Sequence, residues 1–146
     1  MKIIKTLFIA IISLTILSCS NSSSSSSKEF YTLLMEVFEV HDEMMPQMGK
    51  LSELRQQLEK KVEEDPMNAI TYEDAITDLE DAHTGMMDWM KDFGEEFPYK
   101  EDRLEGMDED EILESIEKMK KQKVSVEDMK QKMIDSMENA KAILGQ

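Results

Sequence analysis

From Phe30 to Val62, apolar side chains recur in alternating steps of four and three. The series is Phe30, Leu34, Val37, Met44, Met48, Leu51, Leu58 and Val62, with His41 and Arg55 filling the two gaps. Seven residues make nearly two turns of α-helix, so these side chains form one stripe along a helix. A stripe of that length needs partner helices to cover it, and a strand would instead alternate at every second residue. The helix is expected to start at Ser26 or Ser27, where Ser26-x-x-Glu29 reads as a capping box. It is expected to end at Asp65-Pro66, because the residue before proline avoids helical backbone. Pro46 lies inside it and should kink it by removing a backbone hydrogen bond.

A second helix is expected from about Thr71, with the seam Tyr72, Ile76, Leu79, His83, Met86, Met90 and Phe93 and a C-cap at Gly94. A connection carrying Pro98 and Gly106 follows. The third helix should start at a capping Asp108 and stop at Gly145. Its apolar positions are Ile112, Leu113, Ile116, Met119, Val126, Met129, Met133, Met137, Ala140 and Leu144, with a break expected near Ser125-x-x-Asp128. Strand signals are lacking. The fold class is therefore all-α, a three-helix up-down-up antiparallel bundle. Phe30, Leu34, Val37, Leu51, Leu58, Ile76, Leu79 and Ile116 are its expected core.

The N-terminus has a different character. Lys2 and Lys5 precede an eleven-residue, mainly apolar run, Leu7 to Leu17. That is short of the about 20 residues a membrane-spanning helix needs, and fits a signal-peptide core. The run closes on Ile16-Leu17-Ser18-Cys19, which resembles a bacterial lipobox. The resemblance implies cleavage before Cys19 and acylation of its thiol. Residues 1–18 are thus expected to be a lipoprotein signal peptide. Residues 19–27 should be a lipidated cysteine with a flexible serine tether, and 28–146 the helical domain. Ser20 stands where an aspartate would imply inner-membrane retention, so the expected location is the outer membrane, with its face left open. Cys19 is the only cysteine, so disulfides and cysteine-based metal sites are excluded. Without Lys2 and Lys5, 15 basic residues remain against 32 acidic ones, a net charge of −17. A field of that sign repels nucleic acid and anionic lipid and draws cations.

Two segments repeat one pattern. His41-Asp-Glu-Met44-Met45-Pro-Gln-Met48 and His83-Thr-Gly-Met86-Met87-Asp-Trp-Met90 both read H-x-x-M-M-x-x-M, and the mature chain has no other histidine. The spacing sets the four side chains on one helix face. In a hairpin turning between residues 65 and 66, level positions have numbers summing to about 131, because the rise per residue is equal on both helices. His41 then faces Met90, Met44 faces Met87, Met45 faces Met86, and Met48 faces His83. Imidazole with thioethers suits Cu(I), and Ag(I) by analogy. One candidate site is His41 with Met90, Met44 and Met87. The other is His83 with Met48, Met45 and Met86, with Met119 within reach from helix 3. Against this stands ordinary packing, since methionine fills helical cores well.

Other chemistries find less support. Glu80-x-x-His83 is half of a di-iron bundle signature and lacks its second half. No haem-attachment motif, EF-hand loop or nucleophile arrangement is present, and no enzyme is expected. The layout of lipobox, polar tether, H-D-E-M-M-P-Q-M and A-H-T-G-M-M-D-W-M resembles a group of small bacterial lipoproteins. Some of these carry the name viral A-type inclusion protein. The resemblance implies the envelope compartment and no biochemical activity. Two functional readings remain: a lipoprotein binding or buffering a soft metal ion, or a non-catalytic helical structural or protein-interaction module without metal. In both, the membrane is engaged through the N-terminal lipid and the protein partner is open.

The mature chain is expected to begin at acylated Cys19, which mass spectrometry of its N-terminus would reveal. A chain retaining Met1, or a Cys19→Ser variant still fractionating with membranes, would contradict it.

Overall fold

The computed structural model describes residues 22–146. The leader 1–18, Cys19 and the first tether residues lie outside the described residues. What is described is helical: α1 (Ser22–Met44), α2 (Met48–Glu64), α3 (Ala69–Glu96) and α4 (Glu109–Leu144). There is no strand among the described residues. None of these helices is long and apolar enough to cross a membrane. α1 and α2 form one limb, interrupted by the 3₁₀ turn Met45–Gln47 that contains Pro46. The expected kink is therefore a tightened turn, which proline permits because its missing N–H cannot close the α-helical ring.

Several boundaries differ from expectation. α1 begins at Ser22, ahead of the expected start at Ser26 or Ser27. Serine costs a helix only a few tenths of a kcal/mol per residue, roughly, relative to alanine. Ser26 is not a cap either; its hydroxyl donates to Glu109 Oε1 at 2.6 Å, tying the start of α1 to the start of α4. α3 continues through Gly94 to Glu96, and the Phe97 N–H donates to the Phe93 carbonyl at 2.8 Å. Phe93 and Phe97 stack at 5.4 Å and anchor that last turn to the core. α4 runs unbroken past Ser125. Its ends are as expected: Asp108 and Glu111 form a reciprocal capping box, and Gly145 stops the helix at φ 74°.

Contacts fix the directions. Phe38 meets Phe93 and His41 meets Met90, numbers rising on α1 as they fall on α3. Gln122 with Glu96 and Asn139 with Asp78 show the same opposition between α4 and α3. On α1 and α4 the numbers rise together: Glu29 with Lys120, Glu36 with Lys123, Glu43 with Lys130. Those glutamates are spaced by seven, so all three stand on one edge of α1. Lys123 and Lys130 occupy seam positions of α4, their stems covering apolar surface while the ammonium groups reach the glutamates.

The core contains Phe30, Leu34, Val37, Leu51, Leu58, Leu79 and Ile116 as expected. Ile76 is only partly buried, packed against the core from outside. Leu113 is 45% exposed. The buried stripe of α3 is Ala75, Leu79, Ala82, Met86, Trp89 and Phe93, one position aside from the expected seam at every second step. α3 is flanked by two limbs, and its alanines admit α4 closely. A Cβ added at Gly85 would stand 2.9 Å from Met129 Sδ.

Beyond α3 the connection folds back on α1. Tyr31 Oη donates to Asp102 Oδ1 at 2.7 Å and accepts from the Arg103 N–H, while Leu104, buried, closes that end. The Tyr31 hydroxyl and the Leu104 N–H hold the Asp102 carboxyl below its usual range.

Leu79→Ala should cost about 2–5 kcal/mol in denaturant unfolding, as full burial predicts. Ala82→Leu should cost about 1–3 kcal/mol through overpacking against α4. An Ala82→Leu protein as stable as wild type would show that α4 does not approach there. A depressed carboxyl stabilises the fold above its unfolded value and loses that contribution as pH falls through the folded one. Tyr31→Phe should therefore move the acid-unfolding midpoint to higher pH, readable by circular dichroism.

Candidate metal centre

The strand-free hairpin of α1 and α3 brings the two motifs together unequally. His41 Nε2 lies 3.0 Å from Met90 Sδ, which is the pairing the register predicts. His41 Nδ1 lies 2.9 Å from Asp42 Oδ1. A carboxylate accepts, so Nδ1 carries a proton, and in the neutral ring the Nε2 lone pair points toward the thioether. A carboxylate on the far nitrogen is the arrangement that orients histidine ligands in metal sites. Two electron-rich atoms then meet at contact distance, a contact satisfied by a proton or a soft cation between them. A metal ion held at about 2.0 Å from nitrogen and 2.3 Å from sulfur in tetrahedral geometry would separate the two by about 3.5 Å. Taking up an ion thus means a side-chain opening of roughly half an ångström, within reach of methionine's flexible stem.

Other thioethers divide by exposure. Met44, one turn beyond His41 on the same face, is 2% exposed, and Met86, one turn before Met90, is fully buried. Met45 and Met87 are 37% and 46% exposed. In each Met-Met pair the first residue enters the core and the second stays at the surface, because neighbours on a helix point about 100° apart. Met48 is partly buried against the core, and Met119 is fully buried on α4.

His83 does not repeat the arrangement. It is exposed, on an open groove of about 350 Å³ lined by Leu51, Ser52, Arg55, Leu79, Glu80 and Thr84. No methionine lines that groove. Arg55 bridges it, donating to Glu59 at 2.6 Å and Glu80 at 3.4 Å. Met48, Met45, Met86 and Met119, expected to join His83, are not among the groove's lining residues. The buried stripe of α3 places position 83 outside and position 82 inside.

Sequence reasoning missed Trp89 as a neighbour of His41. Its ring centroid lies 6.0 Å from that of His41, tilted by 37°. The spacing of Met86, Trp89 and Phe93, three then four, was the available signal for its burial. Among the described residues no three His, Cys, Asp or Glu side chains converge as a metal-binding group. The candidate centre thus rests on one imidazole and thioethers. No family model, curated protein or solved structure matches the chain.

Proposed function

We propose that this chain is a lipid-anchored envelope protein, an up-down-up three-helix bundle carried on acylated Cys19, that binds or buffers Cu(I). The observation that carries the reading is the contact of His41 Nε2 with Met90 Sδ at 3.0 Å, with Asp42 on the far nitrogen. Met44 and Met45 stand about one helical turn from His41, and Met86 and Met87 about one turn from Met90, as further thioether donors, with Met48 a turn beyond. The reading contracts the paired motifs to a single centre, with His83 outside it. Thioether and imidazole are neutral, so the ligands themselves do not offset the ion's charge, and Asp42 supplies a carboxylate only on the far nitrogen. The acidic surface supplies a favourable field for any cation instead. Outside the cytoplasm no thiol pool competes, and thioethers need no deprotonation. The lipid, the outer membrane and the absence of catalysis belong to the same proposal.

A second reading has its own support: Met44, Met86, Met119 and Met133 are fully or almost fully buried, as in an ordinary helical core. On that reading the bundle is a structural or protein-interaction module without metal.

A competition titration against a Cu(I) chelator separates the two. Wild type and His83→Ala should take up one equivalent with similar affinity, while His41→Ala and Met90→Leu should lose it. Affinity should fall on acidification, because imidazole must be neutral to coordinate. Equal uptake by wild type and His41→Ala would show the binding to be non-specific, and no uptake by wild type would return the motifs to packing.

A further inference from the structure

We infer that Trp89 caps the metal centre, its indole face completing the coordination of a soft cation held by His41 and Met90. The inference rests on the Cu(I) reading above and extends it to a residue outside the repeated motif. Trp89 is 6% exposed and precedes Met90 directly in the chain. Its ring lies beside that of His41, centroid to centroid at 6.0 Å, and is backed by Phe93 at 5.2 Å. The indole is thus neighboured by the His41 imidazole and by the Phe93 ring. A cation bound at His41 Nε2 would be carried on a ring whose centroid is 6.0 Å from that of the indole, the strongest of the aromatic faces in attracting a cation. Burial of the indole strengthens that attraction. The indole nitrogen adds an independent observation. Trp89 Nε1 is buried and has no hydrogen-bond partner among the described residues. A buried tryptophan ordinarily satisfies that group. Phenylalanine or leucine would fill the same space with no polar cost, so the idle N–H leaves the π-face as the part of Trp89 that can act on a ligand.

The cap would also select the ion. Soft monovalent Cu(I) and Ag(I) accept a π-face as a ligand. Zn²⁺ strongly prefers four nitrogen, sulfur or oxygen donors and finds one imidazole and thioethers here. A roof of indole also excludes water and larger ligands from the ion, keeping the site low-coordinate.

Trp89 is the only tryptophan of the chain, so its fluorescence reports this site alone. The full-length chain in detergent is titrated with Cu(I) under reducing conditions, and separately with Ag(I). Emission is excited where tyrosine does not absorb, and affinity is measured in parallel by chelator competition. Stoichiometric quenching or a spectral shift is expected in wild type and not in His41→Ala. Trp89→Leu should bind roughly three- to thirtyfold more weakly, the range of one partly to fully desolvated cation–π contact, and Trp89→Phe should fall between. Circular dichroism of the variants verifies that the bundle persists, and the wild-type emission needs no substitution at all. Uptake by wild type that depends on His41 but leaves emission unchanged, with Trp89→Leu binding as wild type does, overturns the cap and leaves the His41–Met90 site standing. No uptake by wild type overturns both.

Discussion

The reversal at Asp65–Pro66 decides which side chains of α1 and α3 can meet. Pro66 cannot continue α2, and Asp65 leaves helical backbone at φ −136° and ψ 74°. Its carboxylate then gathers the turn, accepting from Asn68 Nδ2 at 2.7 Å and from Tyr72 Oη at 3.1 Å. Both bonds hold that carboxyl below its usual range, Asn68 foremost. The turn is short, so α3 starts again at Ala69 with little slack. A turn longer by one helical pitch would carry Met90 about 5.4 Å past His41. As built, the same register aligns Phe38 with Phe93 and His41 with Met90 one turn later. The aromatic contact and the imidazole–thioether contact therefore enforce each other.

Much of this was readable in the chain because it depends on local spacing. The four-three series along α1 and α2 matched burial from Phe30 to Leu58 except at Met48 and at its two polar members, His41 and Arg55, which are partly buried. Proline, the Asp108 box and Gly145 marked boundaries through backbone chemistry that no tertiary contact overrides. The misplacements have one physical origin. On α3 two heptad tracks share Leu79, Met86 and Phe93, and only three-dimensional neighbours decide which track is deeper. Alanines at 75 and 82 carry little hydrophobic signal, yet their small size is what lets α4 come close. The deeper track then takes in Trp89 and turns His83 to solvent, a rotation of one residue that no pattern of large apolar side chains reveals.

The lysines of α4 show the same interplay of pattern and charge. Lys123 and Lys130 interrupt an apolar seam, which makes α4 look irregular as a sequence. Each reaches a glutamate of α1, and Glu36 holds the Lys123 ammonium above its usual range. Partly exposed pairs of this kind contribute little net stability; what they provide is register between two limbs that run the same way. The ladder climbs α1 to Glu43, two residues beyond His41. The His41–Met90 contact is thus framed by an ion-pair ladder on one edge of α1 and an aromatic stack on another, with Asp42 on the solvent side.

The central claim is that an ion sits between one imidazole nitrogen and thioether sulfur. X-ray absorption at the copper edge of the Cu(I)-loaded chain reads the ligand atoms directly. A mixed shell is predicted, with one nitrogen scatterer carrying the multiple-scattering pattern of imidazole and sulfur scatterers beside it. A shell of sulfur with no imidazole, or of nitrogen and oxygen alone, would contradict the account.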